Sequence, residues 1–240
     1  MAEVTVEAPA KINLFLNILG RRSDGYHELQ TLFQLLDYGD ELSFEVLPQS
    51  IIELHDETTG VPPDQNLIVK AAYRLQEATG CRQGARITLH KKLPAGGGLG
   101  GGSSDAATTL LALNALWRTG LSLNELATLG ARLGADVPVF VLGKSAWAEG
   151  IGDKLQALEL PEKWFVVLHP GCNVSTAAIF THPELTRDKA AITVAAFFEQ
   201  GAENACQGLV EKLYPPVAEA INWLEKHAAN HSGTAQMTGT

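Results

Sequence analysis

Cysteine is scarce in this chain: three residues in 240, Cys81, Cys172 and Cys206. They lie far apart, are odd in number and form no C-x-x-C pair. That excludes a disulfide framework and a cysteine metal centre, and the expectation is three reduced thiols in a cytoplasmic protein. Basic residues are also short, 18 Lys and Arg against 27 Asp and Glu, for a net charge of −9. A general binder of nucleic acid or of an anionic membrane needs a basic surface, so neither partner is expected. Phosphate remains a possible ligand, because a nest of main-chain N–H groups binds it without net positive charge. No apolar run approaches the ~20 residues that cross a bilayer. The first residues, Met1-Ala2-Glu3-Val4, are acidic and alternating, unlike a signal peptide.

What is present suits a soluble globular protein, with 45% apolar and 19% charged residues. The first half reads as strands. Ile12, Leu14, Leu16 and Ile18 alternate with Lys11, Asn13, Phe15 and Asn17, which puts Lys11 and Asn13 on one side. Leu42, Phe44 and Val46 alternate with Glu41, Ser43 and Glu45 in a second strand. Between them, residues 20–25 (G-R-R-S-D-G) have turn chemistry. Asn66 caps a predicted helix that Gly80 stops, and Ser122 with Glu125 forms a capping box for another. A strand at residues 86–90 runs directly into the glycine-rich segment, and Ala106, Leu110, Leu113 and Trp117 mark the buried face of the helix after it. Residues 164–168, continuously apolar, read as a central strand. Two further helices are expected near residues 203–213 and 217–227, parted by Pro215 and Pro216. The sum is an α+β protein of two lobes, residues 1–155 and 156–240.

The strongest feature is Gly96-Gly97-Gly98-Leu99-Gly100-Gly101-Gly102-Ser103-Ser104. So many glycines cost conformational entropy unless something must approach the main chain closely. The segment opens a helix, where free N–H groups and the dipole favour an anion. A flexible linker fits poorly, since a strand enters and an amphipathic helix leaves without slack. A Walker loop is excluded because no Lys-Ser/Thr pair follows the last glycine. Gly96, Gly98 and Gly101 match G-x-G-x-x-G, but the acid-terminated second strand of a dinucleotide site is missing. Asp136, in Gly134-Ala-Asp-Val-Pro-Val-Phe140, lies at an element edge and reads equally as a cap or as a reacting acid. Lys11 alone reads as a surface lysine with a buried stem or as a site residue.

Together these segments resemble the GHMP kinase superfamily. The carrying residues are Ala8-Pro-Ala-Lys-Ile-Asn-Leu-Phe-Leu16, Arg22-Ser-Asp-Gly-Tyr-His27, the run from Leu93 to Ser104, and Gly134 to Phe140, with Asp64-Gln-Asn-Leu-Ile68 and His169-Pro-Gly171 also in order. The resemblance implies a ribosomal-protein-S5-like N-terminal lobe carrying the glycine loop and a ferredoxin-like C-terminal lobe. It implies ATP as phosphoryl donor, with Mg²⁺ and no protein metal ligand assigned. Lys11 and Asp136 would be the catalytic pair, Asp136 handling the proton of the attacking hydroxyl and Lys11 offsetting charge there. Pro94, Ala95, Gly96, Gly97, Gly98, Leu99, Gly100, Gly101, Gly102, Ser103 and Ser104 would wrap the phosphates, with Asn66, Leu67 and Lys91 or Lys92 near the adenosine. The D-G-Y-H and P-A-K-I-N segments point to the branch whose small-molecule acceptor is a cytidyl-diphosphate methylerythritol, phosphorylated on its 2-hydroxyl in isoprenoid precursor synthesis. There Asn13 would face the methylerythritol, Tyr26 and Phe180 would sandwich the cytosine, and the main chain at His27 would read its edge. A monomer or weak homodimer is expected. Family members continue past a third glycine-rich turn, which here begins at Gln236-Met-Thr-Gly-Thr240, so the second lobe is expected to be incomplete.

Overall fold

A computed structural model describes residues 3–56, 58–228 and 233–239. Met1, Ala2 and Thr240, on which parts of the two terminal readings rest, lie outside the described residues. Six strands and eight helices are found among those described. The strands are β1 (Val4–Arg21), β2 (His27–Leu47), β3 (Ile52–His55), β4 (Gly84–His90), β5 (Ala146–Gly150) and β6 (Lys154–Ala157). The helices are α1 (Leu67–Thr79), α2 (Gly101–Leu116), α3 (Leu123–Ala131), α4 (Val137–Leu142), α5 (Thr176–Thr181), α6 (Val194–Gln200), α7 (Gln207–Leu213) and α8 (Pro215–Ala228). This is the mixed α+β composition that the sequence pattern predicts.

Two compact units are interleaved along the chain rather than consecutive. The first comprises residues 1–11, 35–95 and 100–144, the second residues 12–34, 96–99 and 145–240. The long strands β1 and β2 contribute to both.

In the first unit β2 pairs antiparallel with β4, Phe44 opposite Ile87, and β3 pairs parallel with β4. Phe44, Leu42, Ile87, Leu75, Ile68, Leu110, Leu113 and Leu126 are all fully buried there. Asn66 accepts the Ile68 amide at 2.9 Å to start α1, and Gly80 ends it in the left-handed conformation that only glycine adopts cheaply. Ser122 and Glu125 make both bonds of the predicted capping box at the start of α3. Gly39 is required because β2 crosses the main chain of β1 closely, and a Cβ there would stand 2.1 Å from the Ala8 carbonyl oxygen.

In the second unit β5 pairs antiparallel with the first half of β2, Thr31 opposite Ala148, and with β6. One cluster buries Leu16, Ile18, Ile179, Leu185, Leu209, Val210, Val217 and Ile221, with Cys206 among them. A second gathers Phe15, Leu32 and Trp147, against which Phe197 packs with its ring centroid 5.1 Å from that of Phe15. Cys206 is a buried free thiol, pushed up to about 12 by burial, while Cys81 and Cys172 are half-buried and free.

One element differs from the sequence pattern. Residues 164–168 form no strand, and Trp164 is 95% exposed. A continuous apolar run is a central strand only where flanking strands bond to it. Among the described residues no main-chain hydrogen bond joins this run to another segment. No described helix is long and apolar enough to cross a membrane.

Candidate active site

In the first unit Lys11, on β1, reaches Asp136, which directly precedes α4, with Nζ 3.4 Å from Oδ2. The lysine side chain is 4% exposed and the carboxylate 33%, so a buried amine meets a carboxylate still open to solvent. Lys11 is not the surface lysine that its neighbours in sequence allow. Asp136 makes no side-chain cap bond to α4, so its carboxylate is not consumed in starting that helix. The glycine segment approaches the same pair. A Cβ at Gly100 would lie 3.2 Å from Lys11 Cγ and 2.8 Å from the Phe140 ring, and one at Gly134 would lie 3.4 Å from Ser103 Oγ.

Along the loop Gly96, Gly98 and Gly100 have φ of +72°, +71° and +74°, whereas Gly97 and Leu99 do not. Left-handed residues alternating with others turn successive N–H groups toward one concave side, which is an anion nest. The loop then enters α2, which has neither a capping side chain nor an acid in its first turn. Its first amides and its dipole are thus left for an external acceptor, unlike those of α1 and α3. Leu67 lies beside this helix start, with Cδ1 3.8 Å from a Cβ placed at Gly102.

Beneath the loop lies a buried ionic triad. Lys91 Nζ donates to Asp40 Oδ2 at 2.5 Å and to Asp105 Oδ2 at 2.8 Å. Asp40 Oδ1 also accepts the amides of Lys92 and Leu93 at 2.6 and 2.8 Å. Asp40, 0% exposed, therefore fastens the chain just before Pro94, while Asp105 fastens the second turn of α2. Both ends of the glycine segment are held by one set of charges. Lys91 is engaged in this triad, whereas Lys92 is exposed.

Two carboxylates around one ammonium leave surplus negative charge. Burial, and then the Asp40 charge against the opposing pull of Lys91, pushes the Asp105 carboxyl up to about 7. Its folded value thus exceeds the ordinary value of 3.8. Between about pH 4 and pH 7 the unfolded chain releases this proton first, so the group favours unfolding increasingly as pH rises, and the loss is complete above pH 7. Asp105→Asn is expected to flatten the pH dependence of the urea midpoint between about pH 4 and 7. Identical slopes in wild type and variant refute that role. Asp105 Oδ1 and Ser104 Oγ are buried without a hydrogen-bond partner, so polar atoms under the loop remain unsatisfied.

In the second unit Asn13 is 8% exposed and donates through Nδ2 to Thr31 Oγ1 at 2.9 Å. Its amide donates to Thr238 Oγ1 at 2.8 Å. The chain at Thr238 and Gly239 packs against Gly98, whose added Cβ would stand 2.8 Å from the Thr238 carbonyl oxygen. Asn204 holds that segment, donating to the carbonyls of Met237 and Gly239 at 3.1 and 2.7 Å. The turn at residues 22–26 is closed by the Arg22 amide on the Tyr26 carbonyl at 2.8 Å, and Asp24 accepts the Tyr26 amide at 3.1 Å. Tyr26 is 62% exposed, and the rings of His27 and Phe180 lie 5.1 Å apart.

Comparison with known proteins agrees with this geometry. Residues 66–144 match the GHMP kinases N terminal domain. The chain is 58% identical to the 4-diphosphocytidyl-2-C-methyl-D-erythritol kinase of Alkalilimnicola ehrlichii over 97% of this chain and 78% of the relative. It is 56% identical to the kinase of that name from Pseudomonas aeruginosa, over 99% of this chain and 82% of the other. The chain belongs to the 4-diphosphocytidyl-2-C-methyl-D-erythritol kinase family. A crystal structure of a 4-(cytidine 5'-diphospho)-2C-methyl-D-erythritol kinase superposes with a TM-score of 0.77 at 37% identity, covering 93% of this chain and 83% of that one. The GHMP kinase fold that the resemblance implies is thus the fold found.

The sequence pattern does not reveal that Asp40 and Asp105 meet Lys91, that Thr31 meets Asn13, or that Asn204 holds the chain at residues 237–239. Asp105 carries a faint signal, an acid among the alanines and threonines of an otherwise apolar helix turn. The other three belong to no motif of the sequence.

Proposed function

We propose that this chain transfers the γ-phosphoryl group of ATP to the 2-hydroxyl of 4-diphosphocytidyl-2-C-methyl-D-erythritol. The observation that carries the reading is the Lys11–Asp136 pair, 3.4 Å apart, packed against the glycine run that opens α2. Phosphoryl transfer needs positioning and charge neutralisation more than covalent help from the protein. The alternating left-handed glycines and the uncapped amides of α2 supply main-chain donors for the phosphates. Asp136 accepts the proton of the 2-hydroxyl as its oxygen bonds to the γ-phosphorus and the bond to the ADP oxygen breaks. Lys11 offsets the charge developing at that oxygen. Asn13 faces the methylerythritol, Tyr26 and Phe180 take the faces of the cytosine, and the His27 main chain reads its edge.

The described residues hold no group of three His, Cys, Asp or Glu that could cage a metal. Mg²⁺ keeps its waters and binds largely through nucleotide phosphates, so a serine hydroxyl suffices beside it, and the Ser104 hydroxyl has no hydrogen-bond partner. The Ser103 and Ser104 hydroxyls, at the start of α2, are the residues that would adjoin it, and the ion would neutralise phosphate charge.

The test offers the protein ATP with each of three acceptors: the cytidyl-diphosphate methylerythritol, homoserine and mevalonate. ADP formation is expected with the first alone. Turnover only with a non-nucleotide alcohol refutes the assignment.

A further inference from the structure

Phe180 lies at the end of α5 and His27 at the start of β2, yet their rings face each other 5.1 Å apart at 35°. One side chain ties them together. Arg187 Nε donates to His27 Nε2 at 3.1 Å. One of its terminal nitrogens donates to the carbonyls of Phe180 and His182 at 2.8 and 2.6 Å, and the other to that of Leu185 at 3.0 Å. These carbonyls lie in the last turn of α5 and just beyond it, where a helix leaves acceptors without intrahelical partners and a cation is favoured.

Among the described residues no carboxylate lies within ion-pair distance of Arg187. Its partners are three carbonyls and an imidazole. The rigid fork of a guanidinium can satisfy four such acceptors in different directions, which a single ammonium cannot. Accepting at Nε2 puts the proton of the neutral His27 ring on Nδ1. Burial, and then the charges of Arg187 and Arg21, lower the affinity of that ring for a second proton.

We infer that Arg187 is a positioning residue for recognition of the cytosine. It locks the turn carrying Tyr26 and His27 to the end of α5 carrying Phe180, so that these groups are held together before substrate arrives. The inference rests on the cytidine acceptor proposed above. Arg187 touches neither reacting group, so its loss acts on acceptor binding and leaves the chemical step alone.

The experiment compares wild type, Arg187→Met and Arg187→Lys. In Arg187→Met the KM for the cytidine acceptor is expected to rise about tenfold or more, with kcat and the KM for ATP within about twofold of wild type. Arg187→Lys, which keeps the charge without the fork, falls between them. Nitrogen NMR of the His27 ring is expected to show the Nδ1-protonated tautomer in wild type and its loss in Arg187→Met. Should the methionine variant fail to fold, the lysine variant carries both readouts. An unchanged acceptor KM in a folded variant overturns the inference, as do equal losses in kcat, ATP affinity and melting temperature. Wild-type protein that does not phosphorylate the cytidine acceptor overturns the acceptor reading itself, and this inference with it.

Discussion

Replacing Asp136 by Asn is expected to lower kcat by on the order of 10³-fold or more while ATP binding survives. The carboxamide fills the same volume, so only charge and proton affinity change. It cannot take a proton from the attacking hydroxyl, and it removes the negative partner 3.4 Å from the Lys11 ammonium. The Asp136 side chain is 33% exposed and forms no cap bond to α4, so the helix start does not depend on it. Asn nevertheless removes a carboxylate partner of the buried Lys11 ammonium, and a loss of stability on the order of 1 kcal/mol or more is expected. Steady-state turnover with the cytidine acceptor, calorimetric titration of nucleotide and a thermal melt separate these effects. Near-normal turnover in a folded variant that binds ATP removes Asp136 from the chemistry.

The same pair illustrates how much the sequence discloses. Lys11 and Asp136 are ambiguous one at a time, and the alternation of β1 places Lys11 on a side without saying whether that side is covered. Lys11, Asn13 and Asn17 are all more than nine-tenths buried, because β1 is covered on both faces. The helix caps at Asn66, Gly80 and Ser122 were legible because capping is local chemistry within three or four residues. β2 was legible only from residue 41 to 46. Its middle, Asp37-Tyr38-Gly39-Asp40, has turn composition, yet Gly39 serves the close crossing over β1 and Asp40 anchors Lys91 and the amides beyond it. Strands of four or five residues, β3, β5 and β6, are too short for a period to register. The triad was invisible for another reason: residues 40, 91 and 105 meet only in space. The apolar run at 164–168 marks the opposite failure, a strand composition without strands to bond it.

The glycine loop supports the second large expectation: Gly98→Val abolishes ATP binding. Gly98 has φ +71°, where a β-branched residue is strained by roughly 1–2 kcal/mol at least. Its Cβ would stand 2.8 Å from the Thr238 carbonyl oxygen and 3.3 Å from Gly239 Cα, both main-chain atoms with little freedom to retreat. The loop must shift, and the alternation of left-handed residues that turns its amides together is lost. Gly102→Ala separates the cradle from the fold. It lies in the first turn of α2 with ordinary φ, and a Cβ there meets only Leu67 Cδ1, at 3.8 Å. Intramolecular packing therefore does not demand glycine at 102, and alanine is expected to stabilise the helix by about 0.5–1 kcal/mol. If the amides of this turn grip phosphate, the added methyl group crowds the ligand, and the variant melts higher yet binds ATP more weakly. Calorimetric titration beside a thermal melt reads both quantities. Full nucleotide affinity in Gly98→Val, or a Gly102→Ala protein that gains stability with no loss of affinity, removes the main-chain cradle as the phosphate site.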